Sequence, residues 1–310
     1  MEYRSDGAAK ILAALGWVFL PWIRGRLWIL NFFLKKESVQ ALREAQADFI
    51  LTAGSSMAPI QHLFAAETGA KKIVLMKPPF PYSLFKYDLA VVPAHDEGMI
   101  PNPNFRTFIS PSGYALENIQ EEVSALKAEL QGVEEPVAAV FVGGKTHEFD
   151  LTVADAEKTL SILERASVKK GGFLLTTSRR TSIGVERFFK HQIGKTSSCR
   201  KLVIANEDTR AFIAKGMLGL AKKIVVTEDS LAMISEAVAS GKPVIVLRVA
   251  SQQLPEKHRR FLDQLIEKKW VLTATLQNLG QILESENTAS SGDAIEQEKE
   301  LLTEALQRLL

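Results

Sequence analysis

The chain has 310 residues, of which 46% are apolar and 24% are charged, and its formal net charge is +2. A chain of this length and composition suits two globular domains, and its near-neutral charge gives no support for a nucleic-acid partner. The single cysteine, Cys199, excludes a disulfide within the chain, and the histidines lack the spacing of metal ligands. We therefore expect a globular protein that binds no metal and no nucleic acid.

The first apolar stretch, residues 11–34, is interrupted by Pro21, Arg24 and Arg26. A spanning helix needs about 20 unbroken apolar residues, and two arginines near its centre would be costly. The same basic residues and the lack of a small-residue cleavage site argue against a signal peptide. Two interpretations stay open: a buried helix pair in the first domain, or a segment that lies on an anionic membrane surface with its aromatic side chains among the headgroups.

Apolar runs of strand length alternate with helical patterns along the rest of the chain. In the first half, strands are predicted at 47–54, 71–76, 87–93 and 106–109, with helices at 57–68 and 116–131. In the second half, strands are predicted at 137–144, 172–177, 201–206, 223–228 and 243–248. The helices there are predicted at 152–169, 183–192, 208–221, 230–240 and 294–309.

Strands this apolar that alternate with helices are typical of parallel sheets covered on both faces. The alternation starts again after an acidic, proline-containing link at 132–136. The sequence therefore predicts an α/β fold with two Rossmann-like, doubly wound domains that face a cleft. We place the N-terminal domain at residues 1–133 and the C-terminal domain at residues 134–310.

Polar residues follow the predicted strands at their carboxyl ends, where open parallel sheets bind their ligands. In the first domain these residues are Gly54, Ser55, Ser56, His95 and Asp96. In the second domain they are Gly143, Gly144, Lys145, Ser178, Arg179, Arg180, Thr181, Glu228, Asp229 and Ser230. If the two domains face each other, these turns line the cleft between them.

The turns of the second domain suit an anionic ligand. Gly143 and Gly144 allow a close backbone approach, and the paired arginines offer guanidinium forks to a phosphate, with a solvated surface turn as the alternative. A helix that begins near residue 230 presents free N–H groups, with Asp229 as a candidate cap. Glu236 lies two turns beyond Asp229, and it is either an acceptor for sugar or ribose hydroxyls or a carboxylate on the helix surface.

Five segments match a known family in order and spacing. They are AGSSMAPI (53–60), YDLAVVPAHDEG (87–98), VFVGGKTHEF (140–149), LLTTSRRTS (174–182) and VVTEDSLAMISEAVASGKPVIV (225–246). On these segments the chain resembles the mitochondrial fission protein family (elongated-mitochondria, Elm), whose bacterial members are also described as glycosyltransferases or as nucleoside-diphosphate-sugar enzymes. The spacing of Glu228 and Glu236 likewise resembles the E-x7-E pattern of glycosyltransferases with two Rossmann-like domains (GT-B).

The resemblance implies a metal-independent glycosyltransferase of the bacterial cytoplasm that uses a nucleotide-diphosphate sugar and no further cofactor. The second domain would hold the donor, with Met233 beside the strand-end turns, Glu236 on the ribose and Glu228 on the sugar. The first domain would hold the acceptor, a cell-envelope or lipid-linked glycan, with His95 or Asp96 as the general base. Family members usually begin with a strand and a glycine-containing loop, so the first domain is expected to lack its opening strand.

Two other functions stay open. One is a non-catalytic GT-B-like protein of the fission family, which would act as an interaction partner at the inner face of the cytoplasmic membrane through residues 11–34. The other is a different nucleotide-sugar enzyme, for which a short-chain epimerase is the familiar example. The chain has no G-x-G-x-x-G fingerprint, and this argues against such an epimerase.

Overall fold

The structure is a computed structural model that describes residues 2–19, 27–53, 55–110, 119–130, 135–146, 149–167, 171–208, 211–249, 254–286 and 288–309. The chain divides into two compact units, and each is considered by itself. Unit 1 consists of Met1–Thr107 together with Lys299–Leu310, and unit 2 consists of Phe108–Glu298. The domain boundary expected from the sequence, at 133/134, differs from this division in residues 108–133 and 299–310.

The helices and strands alternate along most of the chain. The helices are α1 (Asp6–Phe19), α2 (Lys36–Glu44), α3 (Ala58–Thr68), α4 (Gln120–Glu129), α5 (Val153–Ser167), α6 (Ile183–Ile193), α7 (Ala211–Leu220), α8 (Leu231–Ala239), α9 (Glu256–Glu267), α10 (Leu279–Glu284) and α11 (Asp293–Gln307). The strands are β1 (Phe49–Ala53), β2 (Lys71–Leu75), β3 (Leu89–Pro93), β4 (Asn104–Thr107), β5 (Ala138–Val142), β6 (Phe173–Thr177), β7 (Cys199–Val203), β8 (Lys223–Thr227), β9 (Val244–Arg248) and β10 (Val271–Thr275). Short 3-10 helices lie at Leu27–Phe32, Ser55–Met57 and Tyr82–Leu84.

Unit 1 contains a four-stranded parallel sheet in the order β1-β2-β3-β4. One apolar cluster joins α1, α2 and α3 to the 3-10 helix at Leu27–Phe32 through Leu12, Leu30, Leu42 and Leu63. On the sheet, Ile73, Leu89 and Val91 pack against apolar side chains of α11. The last helix of the chain therefore contributes to the core of unit 1, whose other elements come first in the sequence.

Unit 2 contains a six-stranded parallel sheet in the order β10-β9-β8-β5-β6-β7. Counted within the unit, this is the 3-2-1-4-5-6 order of dinucleotide-binding folds, and the order reverses between β5 and β8. Side chains of β5 alternate between two cores: Ala139 and Phe141 lie in one, and Val140 and Val142 lie in the other. Both faces of the sheet are covered, as continuous apolar strands require.

Helix α4 belongs to unit 2 because it packs against α7. Gly216 makes this contact possible, since a Cβ at that position would lie 2.6 Å from the Glu122 carbonyl oxygen. The buried side chain of Leu126 lies beside the same glycine and extends the contact into the core of unit 2.

The fold class expected from the sequence, α/β with two parallel Rossmann-like sheets, is confirmed. The predicted cleft between the domains stays a prediction. Across the described ranges, the structure contains no helix that is both long enough and apolar enough to cross a bilayer.

Candidate functional site

A cavity of about 850 Å³ lies at the carboxyl edge of the unit 2 sheet, next to the point where the strand order reverses. It is lined by Phe141, Thr176, Thr177, Ser178, Arg179, Arg180, Val203, Ala205, Asp208, Ala214, Ser230, Met233 and Glu236. A smaller cavity of about 340 Å³ in unit 1 lies at the amino ends of β1 and β2, the edge of a parallel sheet that rarely holds a ligand. The larger cavity is therefore the candidate site.

The two glycines after β5 are used for internal packing. The Gly143 N–H donates to Thr227 Oγ1 at 2.7 Å, and the Gly144 N–H donates to Asp229 Oδ2 at 3.1 Å. A Cβ on Gly143 would lie 1.8 Å from Asp229 Oδ1, and one on Gly144 would lie 2.0 Å from the Arg180 carbonyl carbon. Glycine is needed here because three strand-end turns meet at this place. The two N–H groups bond protein atoms and do not line the cavity.

Asp229 joins the turns that follow β5, β6 and β8. Its side chain is fully buried and accepts hydrogen bonds from the Gly144 N–H, from Thr227 Oγ1 at 2.6 Å and from Arg180 Nη2 at 3.3 Å. Burial raises the pKa of Asp229 above its ordinary value, and these donors oppose that rise. Asp229 thus holds Arg180 in position, and the cap of α8 is the next residue, Ser230.

The turn after β6 presents two arginines at the cavity. Thr181 Oγ1 donates to the Gly143 carbonyl at 2.7 Å and accepts from the Ser178 N–H at 2.9 Å, which fixes the turn against β5. The Arg180 side chain is about half exposed although it contacts Asp229. Arg179 is exposed, and no described residue forms a hydrogen bond or ion pair with it.

Lys145 does not line this cavity, although its N–H donates to the Arg180 carbonyl at 2.9 Å. Its Nζ is 3.1 Å from Asp150 Oδ2, and both side chains are largely exposed. An exposed ion pair of this kind contributes little to stability.

Helix α8 lines the cavity with one face, because Ser230, Met233 and Glu236 follow each other at intervals of three residues. The Ser230 hydroxyl accepts from the Met233 N–H at 3.4 Å, while the N–H groups of Leu231 and Ala232 have no acceptor within the helix. Burial raises the pKa of Glu236, whose carboxylate has no hydrogen-bond donor among the described residues.

Glu228 does not lie with Glu236. Only 1% of the Glu228 side chain is exposed, and its Oε2 is 3.2 Å from Arg248 Nε. Its Oε1 accepts from the Val249 N–H at 3.1 Å. Glu228 is thus directed to the end of the neighbouring strand β9, whereas Glu236 faces the cavity, and the E-x7-E pair is not brought together.

The predicted residues of unit 1 lie at the carboxyl ends of β1 and β3. His95 and Asp96 are buried in the turn after β3, and Arg106 Nη2 holds this turn by donating to the carbonyls of Ala94 at 2.6 Å and Asp96 at 2.8 Å. Ser56 is partly buried, and its carbonyl accepts from the Tyr3 hydroxyl.

Gly54 and the side chain of Ser55 lie outside the described residues. Among the residues that the structure does describe, no three His, Cys, Asp or Glu side chains are grouped as metal ligands.

Sequence reasoning missed several residues of the site. Thr177 and Asp208 line the cavity, and Thr227 supports the glycine turn. Glu186 is buried behind the cavity, where its Oε1 accepts from Asn206 Nδ2 at 2.8 Å. Thr177 and Thr227 each end an apolar strand, and this position was the signal in the sequence that could have indicated them. For Glu186 and Asp208 no pattern in the sequence indicated a role, because their positions depend on tertiary contacts.

Three comparisons relate the chain to known proteins. A sequence profile of the mitochondrial fission ELM1 family matches residues 11–301. An uncharacterised protein of Rickettsia prowazekii (strain Madrid E) is 28% identical over 271 residues, which cover 76% of this chain and 74% of the relative.

Among solved structures, a Listeria monocytogenes protein assigned as a UDP-N-acetylglucosamine 2-epimerase aligns with a TM-score of 0.56 at 12% identity. That alignment covers 99% of this chain and 83% of the other, and it is a likeness of fold. MurG of Acinetobacter baumannii aligns over 92% of this chain and 71% of its own, with 12% identity and a TM-score of 0.39.

Proposed function

The chain belongs to the mitochondrial fission ELM1 family, and on that premise we propose that unit 2 binds a nucleotide-diphosphate sugar whose sugar the protein transfers. The observation that carries the proposal is the cavity beside the reversal of strand order, which has guanidinium groups and a carboxylate, Glu236, in its wall. Nucleotides bind at this edge of open parallel sheets. The assignment of the Listeria monocytogenes protein to UDP-N-acetylglucosamine supports the same class of ligand.

The diphosphate is expected at the start of α8. Ser230, the first N–H groups of the helix, Arg179 and Arg180 all offer donors there, and the helix dipole adds to the attraction for an anion. Glu236 lies six residues beyond Ser230, about 9 Å along the helix axis. A carboxylate accepts hydrogen bonds only, so it suits the ribose hydroxyls and would repel phosphate. The two arginines and the N–H groups at the start of α8 would also stabilise the negative charge of the diphosphate as it leaves the sugar.

The acceptor belongs to unit 1 in this proposal. A cell-envelope or lipid-linked glycan would bind there, and His95 or Asp96 would take its proton as the general base. Both residues lie in the turn after β3, at the carboxyl edge of the parallel sheet, and this position supports the assignment.

Calorimetric titration of the full chain with nucleoside diphosphates tests the donor site. Arg179→Ala is expected to weaken binding about tenfold, the lower end for a hydrogen bond to a charged group, because this side chain is exposed. Glu236→Gln is expected to weaken binding of nucleotides that carry both ribose hydroxyls. The matched control is Arg187→Ala, an exposed arginine on α6 that does not line the cavity. Equal affinities in all of these proteins would place the diphosphate elsewhere.

A nucleotide-binding protein without turnover is the second candidate. The burial of Glu228 and its bonds to Arg248 and Val249 favour it, because this carboxylate does not face the cavity. Incubation with nucleotide-diphosphate sugars and envelope glycans separates the two candidates. Release of nucleoside diphosphate that depends on glycan supports the transferase, whereas tight binding without release supports the second candidate.

Peripheral contact with an anionic membrane is proposed for the segment 11–34. Its described part includes Trp28 and Phe32, which are 52% and 66% exposed and form a T-shaped pair with centroids 5.9 Å apart. Leu30, between them, is fully buried, so the 3-10 helix has one side in the core and presents aromatic rings on the other. Arg24 and Arg26 lie outside the described residues.

Cosedimentation with vesicles tests this contact. The double variant Trp28→Ala/Phe32→Ala is expected to lose binding to anionic vesicles at low salt, because it removes apolar insertion while charges are kept. The control is Phe80→Ala, which removes an exposed aromatic side chain of unit 1 outside the segment. Failure of the unmodified protein to bind anionic vesicles at low salt would refute the contact.

A further inference from the structure

We propose that unit 1 recognises its acceptor by a lipid phosphate: the loops after β2 and β3 bind a long hydrocarbon chain, and Lys77 binds the phosphate that joins this chain to a glycan. This inference rests on the proposed function, since it concerns the acceptor expected at the same edge of unit 1. It narrows the acceptor to a lipid-linked glycan and assigns the residues that hold the lipid.

Large apolar side chains are exposed in the two loops that follow β2 and β3. There are four of them, each between 40% and 79% exposed: Met76, Phe80, Leu84 and Met99. A ligand that covers them gains free energy from the apolar area that it removes from water. Exposed apolar side chains that occur together, rather than scattered singly, are typical of binding surfaces.

The two loops meet through a lysine. Lys77 Nζ donates to the Glu97 carbonyl, and a Cβ on Gly98 would lie 3.0 Å from the same Nζ. Phe80 follows Lys77 by three residues and Met99 follows Glu97 by two, so each Cα lies within about 11 Å of the Cα of the residue in this contact. The exposed side chains of both loops therefore belong to one surface, which we call the loop surface.

The longer loop is ordered although its apolar side chains are exposed. The Leu84 N–H donates to the Pro81 carbonyl at 2.9 Å, which closes a tight turn. Tyr82 within this turn is fully buried, and its hydroxyl donates to the Leu12 carbonyl of α1 at 3.3 Å. The turn thus has one side chain in the core, while Phe80 and Leu84 on either side of it face solvent.

The backbone of Met76 is strained at the start of the same loop. Its φ is 74°, a left-handed conformation in which a side chain crowds the backbone, and its N–H donates to the Val91 carbonyl at 2.8 Å. Glycine would adopt this conformation without strain, as Gly98 does in the other loop at a φ of 87°. The strained methionine side chain is exposed and adds nothing to the core, so we assign it to ligand contact.

Lys77 supplies a cation in the loop surface. Of its three N–H donors, one is used by the Glu97 carbonyl, and no other described residue bonds this ammonium group. Lysine binds phosphate as a point charge. Asp96 directly precedes Glu97, so a phosphate at Lys77 would bring the attached glycan to the turn that holds the proposed general base.

The chemistry of the loop surface favours a single lipid molecule over a second copy of the chain. A stable protein interface takes about 20–30 residues from each partner, and this surface offers four apolar side chains and one cation. Methionine side chains are flexible and polarisable, so they adapt to a chain that has many conformations. A hydrocarbon chain that ends in a phosphate matches both the apolar side chains and the ammonium group.

The experiment is calorimetric titration of the full chain with dodecyl phosphate below the concentration at which it forms micelles. Dodecyl maltoside, which lacks the phosphate, is expected to bind about tenfold more weakly. Phe80→Ala is expected to weaken both ligands about tenfold or more, because it removes apolar area from the surface. Lys77→Gln is expected to lower dodecyl phosphate affinity to that of dodecyl maltoside. The control is Leu51→Ala, which removes an exposed leucine from the edge strand β1 of the same unit.

Methionine methyl signals in NMR spectra of the full chain report where each ligand binds. Dodecyl phosphate is expected to shift the signals of Met76 and Met99 and to leave that of Met217, which is buried in unit 2, unchanged. Met233 lines the cavity of unit 2, so its signal is expected to respond to nucleoside diphosphate and not to dodecyl phosphate.

Vesicle binding separates the loop surface from the proposed membrane contact. Phe80→Ala is expected to weaken dodecyl phosphate binding and to retain binding to anionic vesicles. Trp28→Ala/Phe32→Ala is expected to do the reverse. Loss of both activities in Phe80→Ala would mean that the loop surface contacts the bilayer and not one lipid, and it would overturn the inference.

The remaining outcomes separate this inference from the proposed function. Absence of dodecyl phosphate binding, or binding that leaves the signals of Met76 and Met99 unchanged, refutes the inference and leaves the donor site standing. Binding of dodecyl phosphate without any binding of nucleoside diphosphate refutes the proposed function and leaves the lipid site standing. The comparison of dodecyl phosphate with dodecyl maltoside needs no variant, so equal affinity for the two overturns recognition of the phosphate even if Lys77→Gln does not fold.

Discussion

His62 on α3 is expected to make unit 1 sensitive to acid. Its side chain is only 6% exposed and lies among three aromatic rings, with its ring centroid 4.9 Å from that of Tyr87 and 5.3 Å from that of Phe85. The Nε2 atom is buried and has no hydrogen-bond partner among the described residues, while Nδ1 is 3.3 Å from Lys72 Nζ. A protonated imidazole would be unfavourable here, because it would be desolvated beside another cation.

Burial, and to a smaller extent the charge of Lys72, lowers the pKa of His62 from about 6.5 to about 3. In the unfolded chain the imidazole binds a proton below about pH 6.5, whereas in the folded protein it stays neutral down to about pH 3. Stability is therefore fully present above pH 6.5 and is lost as the pH falls below that value. At pH 5 the difference of 1.5 pH units corresponds to a loss of about 2 kcal/mol in the free energy of unfolding.

The substitution His62→Phe removes the titrating group and keeps a ring of similar size in the aromatic cluster. Hydrogen exchange at the amides of α3 and β3 is measured at pH 7.5 and pH 5, corrected for the intrinsic rates, because it reports unit 1 even if the two units unfold separately. Between the two pH values, the unmodified protein is expected to lose about 2 kcal/mol more stability than the variant.

Buried carboxyls with a raised pKa, such as Glu236, add stability as the pH falls. Their contribution cancels in the comparison, because the unmodified protein and His62→Phe both contain them. The control is His191→Gln, which removes an exposed histidine of α6. Identical pH dependence in the unmodified protein and His62→Phe would refute the reasoning.

Three further predictions follow from the strand-end turns. Gly144→Ala would place its Cβ 2.0 Å from the Arg180 carbonyl carbon, and we expect a loss of about 1–3 kcal/mol in the free energy of unfolding measured with urea. The control is Gly184→Ala, whose Cβ would lie in ordinary contact, 3.6 Å from Val153 Cγ2, and which should differ little from the unmodified protein. Ser230→Ala removes the cap of α8, so it should cost about 1 kcal/mol in thermal unfolding and weaken diphosphate binding in calorimetry. Glu228→Gln should lower stability and leave nucleotide affinity unchanged, because Glu228 faces away from the cavity; a clear drop in affinity would contradict that placement.

Most elements of the fold follow from the local pattern. The runs at 71–76 and 223–228 become β2 and β8 almost residue for residue, because each strand contains three consecutive apolar residues, at 73–75 and at 224–226. Strand β10 and helix α9 were not predicted. As an edge strand, β10 pairs on one side only, and its partly exposed Thr273 interrupts the apolar run on which prediction depends.

The candidate site was less predictable than the fold. The parallel-sheet rule indicates the carboxyl edge of the sheet, where the cavity lies, and Arg179 and Glu236 both line that cavity. The same rule could not separate residues that face the cavity from residues that support it. Gly144 and Asp229 bond each other and thereby join turns that lie far apart in the chain. No local sequence pattern encodes such a contact.

Helix α11 determines the order in which the protein can be completed on the ribosome. Leu302 and Leu306 of this helix, and Leu309 just after it, cover apolar side chains of β2 and β3, yet they are translated only after the whole of unit 2 has been made. Unit 2 is continuous in the chain and can close its own core as soon as residue 298 has emerged. The unit that is synthesised first is therefore the last to close. Until then, the side chains of Ile73, Leu89 and Val91 lack this cover and present an apolar surface that chaperones can bind.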